Sequence, residues 1–271
     1  MRFLGIIFLC CFSGMAIAQN NLKIFIEKED DRKVFYAQNN EFCPVSVQLT
    51  LELDNMATTG FANGVFVIPE YAQKYKLFEL TGIKPRRKTS YSYSYSAVFG
   101  DVFKTNYDEN YRYDLPYKKG MRYRIEQGYN GRFTHQNENA LDFNMPQGSQ
   151  VRAARAGVVI AVIQNFTETC LREECKRMAN HILIYHSDGT IADYSHLQYN
   201  EARVAVGDTV NKGDLIALSG STGYARGPHL HFVCFLPGLD KQRAIKTKFR
   251  TGNGTMVAYL SENSVYRKDY K

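Results

Sequence analysis

Short runs in which apolar and polar residues alternate are the feature of this chain that most constrains its fold. Residues 45–53 carry Val or Leu at every second position, which is the period of a half-buried β-strand. Patterns with a helical period are scarce, and we expect only one short helix, near residues 69–80. The sequence therefore predicts a mainly β protein built from antiparallel strands.

The first half of the chain predicts a small antiparallel β-sandwich over residues 19–117, with a role that the sequence does not specify. Leu22–Ile26 and Val34–Ala37 flank a charged turn, as in a hairpin, and residues 90–96 alternate Ser with Tyr. A row of tyrosines can bind sugars or peptides, but it more commonly forms one face of a sheet. We place the domain boundary after Tyr117, in a Pro- and Lys-containing segment.

The second half predicts further antiparallel strands over residues 118–250, followed by a C-terminal strand or tail over 251–271. Gly157–Ile163 is apolar and β-branched, and residues 181–185 and 190–194 flank a Ser-Asp-Gly turn. Glycine supplies the positive φ that such a hairpin turn needs.

The first 18 residues predict a secretory signal peptide. Arg2 precedes an apolar run that ends in the small-x-small pattern Ala16-Ile17-Ala18, which is typical of a cleavage site. The alternatives are a membrane anchor, for which the run is too short, and a lipoprotein, for which Leu9 stands where a small residue should precede Cys10. We expect an exported protein, periplasmic or secreted, with no integral membrane segment after cleavage.

Cleavage leaves four cysteines, which can pair in three ways. Cys170 and Cys175 are close neighbours in a polar stretch. We expect a disulfide there because exported proteins meet oxidising conditions. Cys43 and Cys234 are expected to be buried free thiols. The formal net charge of +7 suits an anionic partner without selecting one.

The histidines give the strongest indication of chemistry, because all six lie in the second half of the chain. In the segment Gly227–Phe232, which reads GPHLHF, a strand would project His229 and His231 to the same face. Two imidazoles on one face are costly to bury unless they are paired or bind a metal, and imidazole is a common zinc ligand. A His-x-His pair alone is a weak signal. His135 with Asp142, and His196 at the end of a strand, strengthen it.

These segments resemble the lysostaphin-type, or LytM-like, zinc metallopeptidases, which act on peptidoglycan. The resemblance is carried by the order and spacing of four blocks over about 110 residues, and the N-terminal domain is not part of it. The blocks are GRFTHQNENALDF, MPQGSQVRAARAGVVIAV, NHILIYHSDGTIADYSHL and VAVGDTVNKGDLIALSGSTGYARGPHLHF.

The resemblance implies a Zn²⁺ cofactor held by His135, Asp142 and His231, with His196 and His229 as two catalytic histidines that do not bind the metal. One departure concerns the first two ligands. Six residues separate His135 from Asp142, where the shortest pattern of the family has three, so a small loop-out is needed.

The chemistry of these residue types agrees with the implied roles. Three protein ligands leave one tetrahedral position open, as in catalytic zinc sites. A zinc ion in such a site can acidify water and polarise a carbonyl group. The sequence has no HExxH motif that would supply a glutamate base, so proton transfer is assigned to imidazoles. Gly220–Gly223 is predicted to be a turn that forms one wall of the cleft, and His181 and His186 are expected to be structural.

We therefore expect an exported zinc metalloendopeptidase that hydrolyses peptide bonds of bacterial peptidoglycan, with no nucleic acid partner and a monomeric state. The first alternative is a non-catalytic LytM-like module that binds the cell wall and activates another hydrolase. The second is a biotinyl or lipoyl carrier hairpin at residues 204–218, which would leave the histidines without a role.

Overall fold

The computed structural model describes residues 21–271, so the predicted signal peptide lies outside the described residues. Within this part of the chain the regular structure consists of β-strands and a single 3-10 helix, Glu173–Arg177. The prediction of a mainly β, largely antiparallel protein is confirmed. The described chain divides into two compact units: the residues up to Phe103 with Pro237–Lys241, and Lys104–Leu236 with Gln242–Lys271.

The first unit is built from two antiparallel sheets, with strand orders β1-β2-β6-β4 and β5-β3-β7. Aromatic rings join their inner faces, since Phe35 on β2 lies edge-on to Tyr93 on β7, with 5.3 Å between the ring centroids. Such face-to-face packing of two sheets is that of a small sandwich. Its strands are β1 (Leu22–Glu29), β2 (Arg32–Asn39), β3 (Val45–Asp54), β4 (Met56–Thr59), β5 (Val65–Ile68), β6 (Tyr75–Gly82) and β7 (Ser90–Phe99).

The prediction of a short helix near residues 69–80 is wrong. Tyr75–Gly82 is strand β6, which pairs with β2 on one side and β4 on the other. Leu77, Phe78 and Leu80 are buried there. A short apolar run does not distinguish a buried strand from a helix by its periodicity, and here the pairing with two neighbouring strands decides the outcome.

The second unit is organised around a nine-stranded antiparallel sheet with the order β16-β12-β14-β15-β19-β10-β9-β23, in which β20 also pairs with β19. Three smaller sheets complete the unit: β11-β17, β13-β18 and β22-β21-β8. The strands are β8 (Arg112–Tyr113), β9 (Arg122–Gln127), β10 (Ala140–Phe143), β11 (Gln150–Arg152), β12 (Gly157–Ile163), β13 (Thr169–Cys170), β14 (His181–Tyr185), β15 (Ile191–Ser195), β16 (Thr209–Val210), β17 (Leu215–Leu218), β18 (Gly223–Tyr224), β19 (Leu230–Leu236), β20 (Arg243–Ile245), β21 (Lys248–Thr251), β22 (Met256–Tyr259) and β23 (Val265–Arg267).

The second unit begins before the boundary expected after Tyr117. Tyr113, Leu115 and Tyr117 are buried in its hydrophobic core. The chain end also belongs to this unit, because β23 pairs with β9 and buried Lys268 donates a hydrogen bond to the carbonyl oxygen of Leu115 at 2.9 Å. Residues 113–117 and the last residues of the chain therefore belong to the same unit.

The cysteines and the helix content bear on two further expectations. Cys170 and Cys175 are joined by a disulfide, and Cys43 and Cys234 are buried free thiols. Among residues 21–271, no helix is both long and apolar enough to cross a membrane.

His186 gives the second unit a pH-dependent stability. Its ring is fully buried, and its Nδ1 donates a hydrogen bond to the carbonyl oxygen of Ala156 at 2.8 Å. Burial, followed by the charge of Arg155, lowers the pKa of His186 to about 4, whereas the unfolded residue titrates near its usual ~6.5.

Between these two pKa values the unfolded chain binds more protons, so the free energy of unfolding falls as the pH decreases. From about pH 7 to about pH 5 we expect this group to account for a loss of about 2 kcal/mol. Urea unfolding followed by circular dichroism at both pH values would measure the loss, and His186→Gln should reduce it by that amount. An equal loss in the two proteins would contradict the assignment.

Candidate metal centre

The pairing of three neighbouring strands places Asp142 between two polar residues. Asp142 on β10 lies opposite His231 on β19 and opposite Gln127 on β9. Directly opposed residues of antiparallel strands project their side chains to the same face. The sheet therefore presents Gln127, Asp142 and His231 as a continuous row.

His135 reaches this row from the loop between β9 and β10. Its Nδ1 donates a hydrogen bond to the carbonyl oxygen of Gly128 at 3.1 Å, which directs Nε2 towards Asp142. The loop-out required by the spacing is present as a turn, with Asn137 at a φ of 58° and the N–H of Glu138 bonded to the carbonyl oxygen of His135 at 3.0 Å. The longer spacing is thus accommodated without moving His135 away from Asp142.

Three potential ligand atoms converge at one point. His135 Nε2 lies 3.3 Å from Asp142 Oδ1 and 3.3 Å from His231 Nδ1, and His231 Nδ1 lies 2.9 Å from Asp142 Oδ1. Ligands bound tetrahedrally to zinc at ~2.0–2.1 Å are separated by roughly 3.4 Å. Two imidazoles and one carboxylate with this spacing fit a zinc ion whose fourth position is open.

The charges of the centre favour a cation. Burial alone would raise the pKa of Asp142, but its contacts with His135 and His231 hold that pKa well below its usual value. Burial would lower the pKa of His231, and the Asp142 carboxylate outweighs that effect and raises it to about 9. The centre thus stabilises positive charge next to Asp142, whether a proton or a metal ion carries it.

His196 and His229 lie beside these ligands as a pair of rings 4.4 Å apart between centroids. His196 directly follows β15 and adopts a φ of 63°, which is uncommon for a residue other than glycine. Its Nδ1 donates to the carbonyl oxygen of Thr222 at 2.7 Å, and Nδ1 of His229 donates to the carbonyl oxygen of Gly227 at 2.9 Å. In the neutral form of either ring, Nε2 therefore keeps its lone pair.

The environment of the pair keeps His196 neutral. Burial, together with the neighbouring His229 and His231, lowers the pKa of His196 to about 3. Nε2 of His229 lies 3.8 Å from Asp142 Oδ1, so the pair faces the three potential ligand atoms. All five predicted site residues are therefore brought together.

The segment Gly220–Gly223 forms one wall beside the histidine pair, as the sequence predicts. Thr222 accepts the hydrogen bond from His196, and Gly220 forms a β-bridge with His229. On this wall lies an open depression of about 220 Å³. Uncharged residues line the depression, among them Gln147, Thr169, Gln198, Tyr199, Ser221 and Thr222.

Gln127 is a site residue that the sequence reasoning missed. Its Nε2 donates to Asp142 Oδ2 at 3.0 Å, and its Oε1 accepts hydrogen bonds from the N–H groups of Phe133 and Thr134, both at 2.9 Å. One amide therefore orients the Asp142 carboxylate and fixes the loop that carries His135. The sequence signal for Gln127 is its place in the alternation of Tyr123, Ile125 and Gln127. This alternation predicts that all three side chains lie on the buried face of β9.

The two remaining histidines of the second unit are not among the three residues whose potential ligand atoms converge. His181 on β14 lies opposite Ser195, which lies opposite His231, so it belongs to the same row of the sheet, two strands away. His181 Nδ1 bonds the carbonyl oxygen of Ala179 at 3.2 Å, and His186 is enclosed by Ala156 and the surrounding core. The burial of His186 agrees with the structural role expected for it, and the structural role of His181 stays a prediction.

The model of the family described as peptidase family M23 matches residues 136–246. These residues form a peptidase M23 domain. The match begins one residue after His135 and includes Asp142, His196, His229 and His231.

Three relatives show how far the similarity extends. The chain is 29% identical over 224 residues to an uncharacterized metalloprotease of Buchnera aphidicola, covering 79% of this chain and 48% of the relative. It is 28% identical over 145 residues to the peptidoglycan DD-endopeptidase ShyA of Vibrio cholerae, covering 51% and 31%. It is 37% identical over 119 residues to the glycyl-glycine endopeptidase ALE-1 of Staphylococcus capitis, covering 43% and 28%. The chain thus spans half or less of the length of each relative.

The position of Gln127 leads to a prediction about metal affinity. Gln127→Leu removes the donor to Asp142 and the acceptor for two loop N–H groups. Groups that orient a ligand in this way typically contribute 10–100-fold to metal affinity. We expect Gln127→Leu to weaken zinc binding by about that factor, as measured by competition with a chromogenic chelator.

A matched control exists in the same loop. Gln136 is exposed, and its amide donates to the carbonyl oxygen of Arg132 at 2.9 Å. Gln136→Leu removes the same functional group, and we expect it to leave zinc affinity within about twofold of the parent protein. Equal affinities in the Gln127 and Gln136 variants would contradict a positioning role for Gln127.

Proposed function

We propose that this protein is an exported zinc endopeptidase that hydrolyses peptide bonds of bacterial peptidoglycan. The observation that carries the proposal is the convergence of His135, Asp142 and His231 with the pair His196 and His229, in an M23 domain. The names of ShyA and ALE-1, endopeptidases of peptidoglycan and of glycyl-glycine bonds, support this substrate class. Export is supported by the signal-like sequence of residues 1–18.

We assign His135 Nε2, Asp142 Oδ1 and His231 Nδ1 as the ligands of the zinc ion. When bound there, zinc supplies a Lewis acid that polarises the scissile carbonyl group and acidifies water. Gly128 and Gln127 position the ligands without binding the metal themselves. Their hydrogen bonds hold the His135 ring and the second carboxylate oxygen, so that the donor atoms face the site before the metal arrives.

We assign His196 and His229 to proton transfer. Because Thr222 and Gly227 present carbonyl oxygens, which can only accept, the neutral form of each ring carries its hydrogen on Nδ1 and a lone pair on Nε2. Nε2 can take the proton from the attacking water and return it to the nitrogen of the leaving amine. After taking that proton, either imidazolium can donate a hydrogen bond to the developing oxyanion.

The neutral depression on the wall at residues 220–222 is suited to a flexible, uncharged part of the substrate. Its hydroxyl and amide groups offer both donors and acceptors. An extended peptide could satisfy its backbone groups there, while the scissile bond lies at the histidine pair. We propose this wall as one side of the substrate groove.

The proposal predicts separate effects for the two classes of histidine. The purified protein should bind about one zinc ion per chain and release products from cross-linked muropeptides, detected by mass spectrometry. His231→Ala should lose both zinc and turnover. His196→Ala should retain zinc and lower turnover by roughly a hundredfold or more, because it removes only proton transfer.

His181→Gln is the matched control, since this histidine lies on β14, two strands from His231 in the same sheet, and is not one of the five residues to which we assign a role. It should retain zinc and turnover. A protein that binds zinc but hydrolyses no wall peptide, and instead stimulates a partner amidase, would favour the non-catalytic activator. Unchanged turnover in His196→Ala and His231→Ala would refute the proposed function.

A further inference from the structure

A cluster of one arginine and two aromatic rings lies beside the metal centre. The guanidinium carbon of Arg226 is 3.8 Å from the centroid of the Phe133 ring, and Phe133 stacks on Tyr224 with 6.1 Å between centroids. Phe133 is 46% exposed, and Arg226 is also exposed. Phe133 precedes His135 by two residues and Arg226 precedes His229 by three, so the cluster joins the two loops that carry site residues.

The hydrogen bonds of Gln127 connect this cluster to the site. The N–H of Phe133 is bonded to Gln127, whose amide also holds Asp142. On the other side, Tyr224 pairs with Cys170 in the ladder between β18 and β13, and Cys170 is in the disulfide with Cys175. Both rings are therefore anchored, and the position of Arg226 above Phe133 is defined relative to the metal ligands.

Within residues 21–271 the Arg226 guanidinium contacts the Phe133 ring and has no carboxylate partner. A nearby cation differs in this respect: Lys176 lies 5.8 Å from the Tyr224 centroid but is paired with Glu173 at 2.8 Å. A guanidinium whose face rests on an aromatic ring keeps its N–H edges available, and their fork geometry matches a carboxylate.

We propose that Arg226, supported by Phe133, is a subsite for a carboxylate group that the substrate carries close to the scissile bond. This inference rests on the proposed function. Stem peptides of peptidoglycan carry free or amidated carboxyl groups next to their cross-links. The depression at residues 220–222 is lined by uncharged residues, whereas Arg226, four residues after Thr222, carries a positive charge. The subsite would make the enzyme select free carboxylates over carboxamides.

The test uses two cross-linked muropeptides that differ only in whether the carboxyl group nearest the cross-link is free or amidated. The parent protein should have a KM roughly tenfold lower for the free form, as expected for a charge-assisted hydrogen bond near the surface. Arg226→Gln should raise that KM about tenfold, leave the KM for the amidated form unchanged and leave kcat within about twofold. Arg226→Lys keeps the charge without the fork, and it should recover part of the preference.

Arg132→Gln is the matched control for charge. Arg132 is an exposed neighbour of Phe133, and its replacement changes the net charge by the same amount. It should leave the preference for the free carboxylate intact. An equal loss of preference in both variants would mean that the net positive charge of the protein, and not a direct contact with Arg226, selects the substrate. That result would overturn the proposed subsite.

A binding measurement separates this inference from the proposed function. The dissociation constants of both muropeptides are measured with His196→Ala, alone and combined with Arg226→Gln or Arg226→Lys. Tighter binding of the free form, lost with Arg226→Gln and partly kept with Arg226→Lys, supports the subsite without turnover. Equal binding of the two forms overturns the subsite but leaves hydrolysis by the parent protein as a separate result. Absence of hydrolysis of either muropeptide by the parent protein counts against the proposed function instead.

Discussion

The pairing of β10 with β19 is the interaction on which the centre depends. It sets Asp142 directly opposite His231, and the pairing of β10 with β9 sets Gln127 on the other side of the same carboxylate. A buried carboxylate is costly unless it is paired and hydrogen-bonded. In this sheet the Asp142 carboxylate has both kinds of partner. Gln127 donates a hydrogen bond to Oδ2, and Oδ1 faces the imidazoles of His135 and His231. A slip of one residue in either ladder would turn the opposed side chains to the other face of the sheet and separate the donor atoms.

The centre combines rigid and irregular elements, and this division matches the proposed roles. Asp142 and His231 lie within strands, and the hydrogen bond to Gly128 orients His135 on its loop. His196 and His229 lie just outside the ends of β15 and β19, where the backbone is free to take unusual angles. The φ of 63° at His196 has an energetic cost, and the bond from Gly220 to the carbonyl oxygen of His196 helps to hold it. The residues proposed for proton transfer thus depend on loop contacts, while the ligands depend mainly on the sheet.

Much of the fold and of the site could be predicted, because period-two patterns and short turns act locally. The strand Gly157–Ile163 begins and ends where predicted, and the alternation in GPHLHF sets the spacing of His229 and His231. The resemblance supplied the grouping of the five site residues, which no local pattern could have given. The helix near residues 69–80 was wrong because an apolar run of that length is ambiguous until its neighbours are known. The second unit extends back to Lys104 because Tyr113, Leu115 and Tyr117 are buried in a core made by distant strands.

By itself the sequence determined the β character of the chain, the residue types capable of binding a metal, and the face on which each strand residue lies. Only the tertiary structure decided that Gln127 holds Asp142, that the residues between His135 and β10 fold into a turn, and that Arg226 rests on Phe133. The physical reason is the range of the interactions. Backbone preference and side-chain alternation act over a few residues, whereas ladder register, hydrogen bonds between loops and cation–π contacts join positions that only the folded chain brings together.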